Sequence, residues 1–118
     1  MAFTLVAGAS TTIGTPRPGN LIVIRRIAIT QTTGGYVYVY TDADASDHWD
    51  AGEEIIIFYA AANSLVDLPD LYLSSSVATL LDLSNVTKSE VLVQCHASAY
   101  GCVWWDEITV DDIRWPNK

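Results

Sequence analysis

Six carboxylates fall within fourteen residues of this chain, in the segment TDADASDHWDAGEE at residues 41–54. Positions 1, 3, 5, 9 and 12 of this segment, counted from its first aspartate, match side-chain ligand positions of an EF-hand calcium loop. They hold Asp42, Asp44, Ser46, Asp50 and Glu53. The sixth position needs glycine for a sharp turn but holds Asp47, and the flanking segments are typical of strands rather than helices. We therefore predict no metal here. The alternatives are a calcium site of another type, a solvated loop, or an acidic contact for a basic partner chain.

Catalytic side chains are sparse in the rest of the sequence. The two histidines are His48, in the acidic segment, and His96, in a predicted strand, and neither accompanies a nucleophile elbow or a glycine-rich oxyanion turn. Asp106 and Glu107 are neighbours, so in a strand they point to opposite faces and cannot act as a paired acid and base. The sequence predicts a protein that is not an enzyme and carries no cofactor.

The only cysteines are Cys95 and Cys102, which flank a short segment that the sequence favours as a hairpin turn. Across such a turn the two thiols would face each other, and a disulfide with good geometry would contribute roughly 2.5 kcal/mol. Two reduced thiols are the alternative, because nothing in the sequence marks an oxidising compartment. A metal site that adds His96 is the least favoured interpretation, since the spacing matches no common zinc pattern.

The composition excludes several classes of protein. Half of the 118 residues are apolar and 17% are charged, which is typical of one globular domain and unlike a disordered chain. Fourteen acidic residues against six basic ones give a net charge of -8, which repels nucleic acid and anionic lipids. The first residues lack a basic signal-peptide region, and no apolar run reaches the ~18 residues that a membrane helix needs. We expect a protein made in a cytosol, with neither nucleic acid nor membrane as a partner.

Short runs rich in valine, isoleucine, tyrosine and threonine alternate with turn residues, as in an all-β sandwich or barrel. The clearest are LIVIRRIAITQ (residues 21–31), YVYVY (36–40) and EIIIFYA (54–60), with the turn TTGG between the first two. Strict alternation in YVYVY predicts that Val37 and Val39 face the core. The unbroken apolar run of EIIIFYA predicts a strand covered on both faces.

The second half of the chain continues the pattern. EVLVQCHAS (residues 90–98) is predicted as a strand and CVWW (102–105) as its hairpin partner. About eight strands, no internal repeat and no linker predict one all-β domain over residues 1–118, a single antiparallel sandwich of jelly-roll type. Residues 1–20 are expected to form an extended N-terminal segment, and residues 111–118 a C-terminal tail.

Three of the four tryptophans lie within twelve residues, at Trp104, Trp105 and Trp115. Neighbours in a strand face opposite ways, so at most one of Trp104 and Trp105 enters the core and the other needs a cover. A neighbouring subunit, the folded-back tail with Trp115, or a bound sugar ring could supply that cover, and the first two are favoured. Arg114 and the arginine pair of the long strand are expected to meet acidic residues of the next protomer. The predicted interface is therefore Trp104, Trp105, Arg114 and Trp115.

Five segments together resemble the layout of small virion proteins of tailed bacteriophages: LIVIRRIAIT, GGYVYVYTDAD, EEIIIFYAA, SLVDLPDLYLSS and EVLVQCHAS. In that layout a strand leads through a hairpin to a polar loop, and then to a leucine-bearing connection that ends in a strand. The resemblance covers about residues 21–98 and concerns the order of the elements. No motif in it carries a functional residue across.

The resemblance implies a compact jelly roll that sits on a capsid as a decoration (cement) protein, or forms the base of a head or tail fibre. It implies a virion location, a major capsid protein as partner, and a homo-oligomer, for which a trimer is one expected form. A closed ring would also cover edge strands that a lone sandwich leaves exposed. The alternative function is a carbohydrate-binding module, in which an exposed tryptophan and a calcium ion held by residues 42–53 bind a sugar.

Overall fold

The structure is a computed structural model that describes residues 1–17, 20–42, 48–51, 54–74 and 90–109. Within these ranges there is no helix long and apolar enough to cross a membrane. The strands of the described ranges are β1 (Ala2–Leu5), β2 (Ser10–Gly14), β3 (Asn20–Gln31), β4 (Gly35–Thr41), β5 (Glu54–Ala60), β6 (Val66–Leu68), β7 (Leu73–Ser74), β8 (Val91–Cys95) and β9 (Ala99–Thr109).

These strands form two antiparallel sheets. One sheet has the order β1-β9-β3-β6, with the two-residue β7 also paired to β3, and the other has the order β2-β8-β4-β5. The pairing is nested along the chain, because β1 pairs with β9, β2 with β8, β3 with β6 and β4 with β5. Such nesting is that of one long hairpin rolled into a sandwich, which is the jelly-roll arrangement. The predicted antiparallel sandwich of jelly-roll type is confirmed.

The N-terminal segment, for which the sequence indicates an extended arm, contributes β1 to one sheet and β2 to the other. β1 is held along its whole length, from the pair of Ala2 with Cys102 to the pair of Leu5 with Ala99. The N-terminal ammonium of Met1 also donates a hydrogen bond to the Val103 carbonyl at 2.6 Å. The described part of this segment is therefore built into the body of the sandwich.

The core lies between the sheets and follows the alternation of the strands. Val37 and Val39 are fully buried, as the sequence predicts, and they pair across the sheet with Cys95 and Val93, which are also buried. Burying one such aliphatic side chain contributes about 1.5–3 kcal/mol, so this ladder is a main source of stability. The other sheet faces it with inward residues of β3 and β9, among them Val103.

A bulge divides the long strand β3. Ile24 and Ile27 are both fully buried, although an uninterrupted strand would turn them to opposite faces. The register against β9 shifts between Ile24 and Arg26, so one extra residue is accommodated there. As a result Arg25 and Arg26 are both exposed, while the isoleucines on either side stay in the core. Two adjacent charges are thus placed outside without interrupting the apolar pattern.

Gln31 links the two sheets at the end of β3. Its side chain is 2% exposed, and its Nε2 donates to the carbonyls of Gly35 at 2.8 Å and Ala60 at 3.1 Å. Its Oε1 accepts from the backbone N–H of Ala97 at 3.3 Å. These bonds satisfy backbone groups at the start of β4, the end of β5 and the corner after β8, so this buried amide fixes three chain reversals at once.

Two sequence-based expectations about neighbouring strands are wrong. Among the described strands β5 is an edge strand with β4 as its neighbour, and Ile57 and Tyr59 are exposed, so the described residues do not cover both of its faces. β8 and the strand that carries CVWW are not a hairpin, because β8 belongs to the four-stranded sheet and β9 to the five-stranded one. The short connection between them crosses from one layer to the other, which residue types alone do not reveal.

Candidate functional site

The described residues at the two ends of the acidic segment make contacts with the body of the protein. Asp42 is buried, and its backbone N–H donates to the Glu90 carbonyl at 3.0 Å. Trp49 stacks on Tyr38 with ring centroids 4.6 Å apart, and its Nε1 donates to Glu54 Oε2 at 3.2 Å. Asp44, Ser46, Asp47 and Glu53 lie outside the described residues. Among the side chains that are described, no group of three or more histidine, cysteine or acidic residues could hold a metal ion.

The two histidines lie at separate places. His48 follows the acidic segment and is exposed, with its Nε2 3.6 Å from Asp50 Oδ1. His96 lies at the corner after β8, where its ring packs so closely on Gly35 that a Cβ there would overlap it. His96 therefore serves the packing of a chain reversal in the described structure.

The cysteines cannot form the disulfide that a hairpin would allow. Cys95 points into the core between the sheets and is 1% exposed, whereas Cys102 lines the outer surface of the five-stranded sheet. Both thiols are free. Burial raises the pKa of Cys95 to about 12, because its thiolate would have to form without water around it. Cys95 is accordingly a core residue.

The adjacent tryptophans of β9 face opposite ways, as the sequence predicts. Trp105 turns inward and is half-buried against Gly14 of the opposite sheet, where a Cβ would lie 2.8 Å from the indole. Trp104 turns outward and remains 43% exposed, with the guanidinium of Arg26 4.8 Å from its ring centroid. The chain itself therefore covers Trp105, and the need for an external cover concerns Trp104. Of the other predicted interface residues, Arg114 and Trp115 lie outside the described residues.

The arginines of the bulge pair within the chain, contrary to the expectation that acids of the next protomer meet them. Arg25 Nη1 lies 3.0 Å from Asp106 Oδ2, and Arg26 binds both carboxylate oxygens of Asp67, at 3.0 and 2.8 Å. The hydrogen bond from Arg26 lowers the pKa of Asp67, and Asp67 in turn raises the pKa of Arg26. Both pairs are exposed, so they orient side chains more than they stabilise the fold.

A trough crosses the outer face of the five-stranded sheet and encloses about 770 Å³. Its floor is a row of small side chains in register across three strands, Ala2 of β1, Cys102 of β9 and Ala28 of β3. Two residues before Cys102, Tyr100 stands on one side of the floor, and two residues after it, Trp104 stands on the other. Small residues flanked by aromatic ones in successive rows therefore create the depression.

The wall of the trough at Tyr100 is polar, and the wall at Trp104 is held in position by an arginine. Tyr100 pairs with Thr4 on one side and Thr30 on the other, and all three line the trough together with Asn63 and Leu65. Trp104 pairs with Arg26, whose guanidinium lies over the indole while it binds Asp67. The ring of Trp104 is thereby held upright by a planar group that is itself held in place.

Trp104 is predicted from the sequence as an interface residue, whereas the rest of the trough is not. The alternation of AYGCVWW places Tyr100, Cys102 and Trp104 on one face, and this signal is readable from the chain alone. Ala2, Ala28 and Thr30 join them only through strand register, and β1, β3 and β9 are far apart in sequence. No local pattern predicts that small residues meet there.

A second surface with exposed apolar groups lies on the opposite sheet, at its β5 edge. Tyr36, Ile57 and Tyr59 are 55%, 38% and 58% exposed, and the two tyrosine rings meet edge to face with centroids 5.5 Å apart. In residues 55–59 the backbone hydrogen bonds to described residues are those of the ladder with β4. With respect to the described residues, the outer edge of β5 thus presents main-chain groups as well as apolar side chains.

Comparisons of this chain with protein-family models, with curated proteins and with solved structures found no match.

Proposed function

We propose that this chain is a non-enzymatic structural protein of a bacteriophage virion, a capsid decoration protein that assembles with copies of itself and with a major capsid protein. In this proposal it is made in the host cytoplasm and resides in the virion, without nucleic acid or membrane as a partner. The observation that carries the proposal is the apolar edge strand β5, whose outer side pairs with no described strand and which suits assembly. The jelly-roll topology and the resemblance in element order agree with it.

β5 lacks the features by which soluble sandwiches protect an edge strand. Its sequence EIIIFYA holds no lysine and no proline, and its single charge, Glu54, lies at the first position. Long, apolar edge strands of this kind are templates for pairing with another chain. A sandwich that functioned alone would be at risk of aggregation through this strand, whereas an assembling subunit can use it.

Charge favours this edge over the rest of the surface as a contact between copies. With a net charge of -8, two copies repel each other at long range. Antiparallel pairing of two β5 strands about a twofold axis would set their Glu54 residues at opposite ends, so no like charges would meet. The exposed Ile57 and Tyr59 would become covered, as would the half-buried Phe58. In a ring such as a trimer, the same edge would pair with a different edge of the next copy.

The apolar run of β5 is itself explained by such an assembly. Strands without alternation are typically covered on both faces, yet Ile57 and Tyr59 remain exposed in the single chain. A partner strand paired to this edge would place its side chains beside Ile57 and Tyr59 and so reduce their exposure. The sequence pattern of β5 thus fits the assembled state better than the isolated chain.

The experiment compares self-association of the wild type with that of Ile57→Lys by size-exclusion chromatography with light scattering. A lysine in the middle of an edge strand opposes pairing, so we expect an oligomer for the wild type and a monomer for Ile57→Lys. The matched control is Val6→Lys, which replaces an exposed aliphatic residue in the turn after β1. It should leave the oligomer intact.

The capsid part of the proposal has its own readout. The wild type should cosediment with shells assembled from the major capsid protein encoded beside its gene. A wild type that stays monomeric at high concentration and does not sediment with such shells would refute the proposal, as would a gene with no virion genes near it.

The alternative, a sugar site assisted by calcium at residues 42–53, finds less support in the described geometry. Asp42, its first ligand position, is buried. Trp49, the tryptophan nearest to it, is stacked on Tyr38 and bonded to Glu54. Trp49 and Asp42 are therefore held in contacts within the chain.

A further inference from the structure

The trough differs from most of this acidic surface because its lining is uncharged. The residues that line it are Ala2, Thr4, Ala28, Thr30, Asn63, Leu65, Tyr100, Gly101, Cys102 and Trp104, together with Phe3, whose side chain packs in the core. None of them carries a formal charge, in a chain whose net charge is -8. The charged groups beside it are each held within the chain: Arg26 and Asp67 bind each other through two hydrogen bonds, and the N-terminal ammonium of Met1 donates to the Val103 carbonyl. An occupant of this site is therefore expected to be neutral.

The two aromatic walls are spaced for an extended occupant. Tyr100 and Trp104 lie four residues apart on one strand, so their Cα atoms are separated by about 14 Å at ~3.4 Å per residue. One six-membered ring cannot contact both walls, whereas a short chain of linked rings can. The volume of about 770 Å³ lies within the range of roughly 300–1,000 Å³ that is usual for ligand sites.

Both walls offer an aromatic ring, and the wall at Tyr100 also offers hydrogen-bonding groups. The faces of Tyr100 and Trp104 carry negative charge density, which attracts the polarised C–H groups on the flat side of a sugar ring. The hydroxyls of Thr4 and Thr30 and the amide of Asn63 line the same trough and can donate to or accept from sugar hydroxyls. The guanidinium of Arg26 packs on the indole of Trp104, and the same tryptophan lines the trough.

We propose that this trough binds a neutral oligosaccharide, which lies across β1, β9 and β3 with sugar rings packed on Tyr100 and Trp104. Arg26 and Asp67 act as positioning residues for the indole. A second copy of the chain fits less well, because two chains of net charge -8 repel each other and the positive groups beside the trough, Arg26 and the N-terminal ammonium, are already bound within the chain. The proposal goes beyond the virion assembly proposed above and does not depend on it, since assembly uses the β5 edge of the other sheet.

The test is a titration by isothermal calorimetry and amide NMR, with neutral hexasaccharides of glucose, xylose, mannose, galactose and N-acetylglucosamine as probes. Polygalacturonate and a heparin hexasaccharide serve as charged comparisons. At least one neutral probe should bind and shift the amides of β1, β3 and β9, and the charged ones should bind more weakly. Failure of every neutral probe, or stronger binding of a charged one, would overturn the proposal.

Three variants decide whether binding occurs at the trough. Trp104→Ala and Tyr100→Ala should each weaken binding of the active probe by about tenfold, the usual effect of losing one ring contact. Ala28→Leu, which fills the floor and leaves both rings in place, should weaken it as well. Trp49→Ala is the control, because it removes an aromatic ring that stacks on Tyr38 of the opposite sheet and should bind like the wild type.

Further measurements separate loss of the binding site from loss of the fold and from subunit assembly. Thermal unfolding of each variant confirms that it is folded, and Asp67→Asn, which removes a positioning residue and keeps both rings, should give an intermediate affinity. Light scattering on Trp104→Ala tests the competing occupant: loss of the oligomer with no saccharide binding would assign the trough to a subunit contact and overturn the proposal. Binding of a saccharide by a chain that stays monomeric would support the site while refuting the assembly.

Discussion

The trough and the β5 edge, two exposed apolar surfaces of this sandwich, differ in how the strands that form them are paired. The trough stands on β9 and β3, which are interior strands paired on both sides, so only side chains are available to a partner. The β5 edge has a neighbour on one side and presents main-chain groups together with Ile57 and Tyr59. The first surface is suited to a ligand that recognises rings and hydroxyls, and the second to another strand. Exposed aromatic residues alone do not distinguish these uses; the hydrogen-bonding state of the backbone does.

The two regions should also differ in rigidity, and glycine substitutions measure this. At Gly101 in β9 a Cβ would overlap the carbonyl oxygen of Ala28 and lie 3.0 Å from the Cα of Ile29. Because backbone atoms of a paired strand cannot move aside, Gly101→Ala should lower the free energy of unfolding by about 3 kcal/mol. Urea denaturation followed by tryptophan fluorescence measures it.

The matched control for that change is Gly34→Ala beside the β5 edge. There a Cβ would meet the hydroxyl end of Tyr59, an exposed side chain that can rotate away. We expect a loss below about 1 kcal/mol. Equal losses of unfolding free energy for Gly101→Ala and Gly34→Ala would show that the five-stranded sheet is no more rigid than the β5 edge. The expected difference in rigidity would then be wrong.

The two sheets should unfold together because Gln31 joins them. Gln31→Leu leaves the carbonyls of Gly35 and Ala60 and the N–H of Ala97 without their partner. Buried groups left unsatisfied in this way should cost about 2 kcal/mol in total. Hydrogen exchange of β3 and β5 amides provides the measurement. If only one sheet lost protection, the two regions would be independent and the role assigned to Gln31 would be incorrect.

Trp104→Ala should affect stability moderately and self-association not at all. The variant loses the contact of the indole with Arg26, which is worth about 1 kcal/mol at an exposed site. Thermal unfolding gives the stability, and light scattering gives the oligomeric state. Ile57→Lys should show the reverse, with a monomer whose stability changes by less than about 0.5 kcal/mol. Both variants behaving alike would remove the distinction between the two surfaces.

The smallest expected effect concerns pH at the end of the trough. The pKa of Asp67 is lowered in the folded chain by the hydrogen bond from Arg26, so this pair stabilises the fold above the ordinary carboxyl pKa. The contribution is lost as the pH falls through the lowered value. Asp67→Asn should therefore destabilise the protein slightly at pH 7 and not at pH 2, as thermal midpoints would show. An equal shift at both pH values would indicate that the pair acts by packing alone.

Sequence patterns predicted where the strands lie better than they predicted which strands pair with each other. The strands over residues 21–31 and 36–40, the inward valines and the opposite orientation of Trp104 and Trp105 follow from period-two alternation, which is a local property. The hairpin expected between EVLVQCHAS and CVWW was wrong because a short turn and a crossing between layers use the same residue types. The disulfide alternative depended on that hairpin, and the structure has the other alternative, two free thiols.

Tyr40 shows the limit of alternation within a single strand. It belongs to the same stripe as Tyr36 and Tyr38, yet it is fully buried whereas Tyr36 is 55% exposed. Burial on the outer face depends on which distant segments cover it. Alternation assigns a residue to a face but cannot state whether that face is open to solvent.

The sequence by itself determined an acidic, all-β chain with inward and outward sides on each strand. Hydrophobic alternation and net charge depend only on residue types and their order along the chain. Only the tertiary structure decided that Ala2, Cys102 and Ala28 meet in one row, that the arginines of β3 bind acids of their own chain, and that β5 lies at an edge. Those facts depend on the register and order of strands distant in sequence. Long-range pairing sets that register and order through the whole core at once.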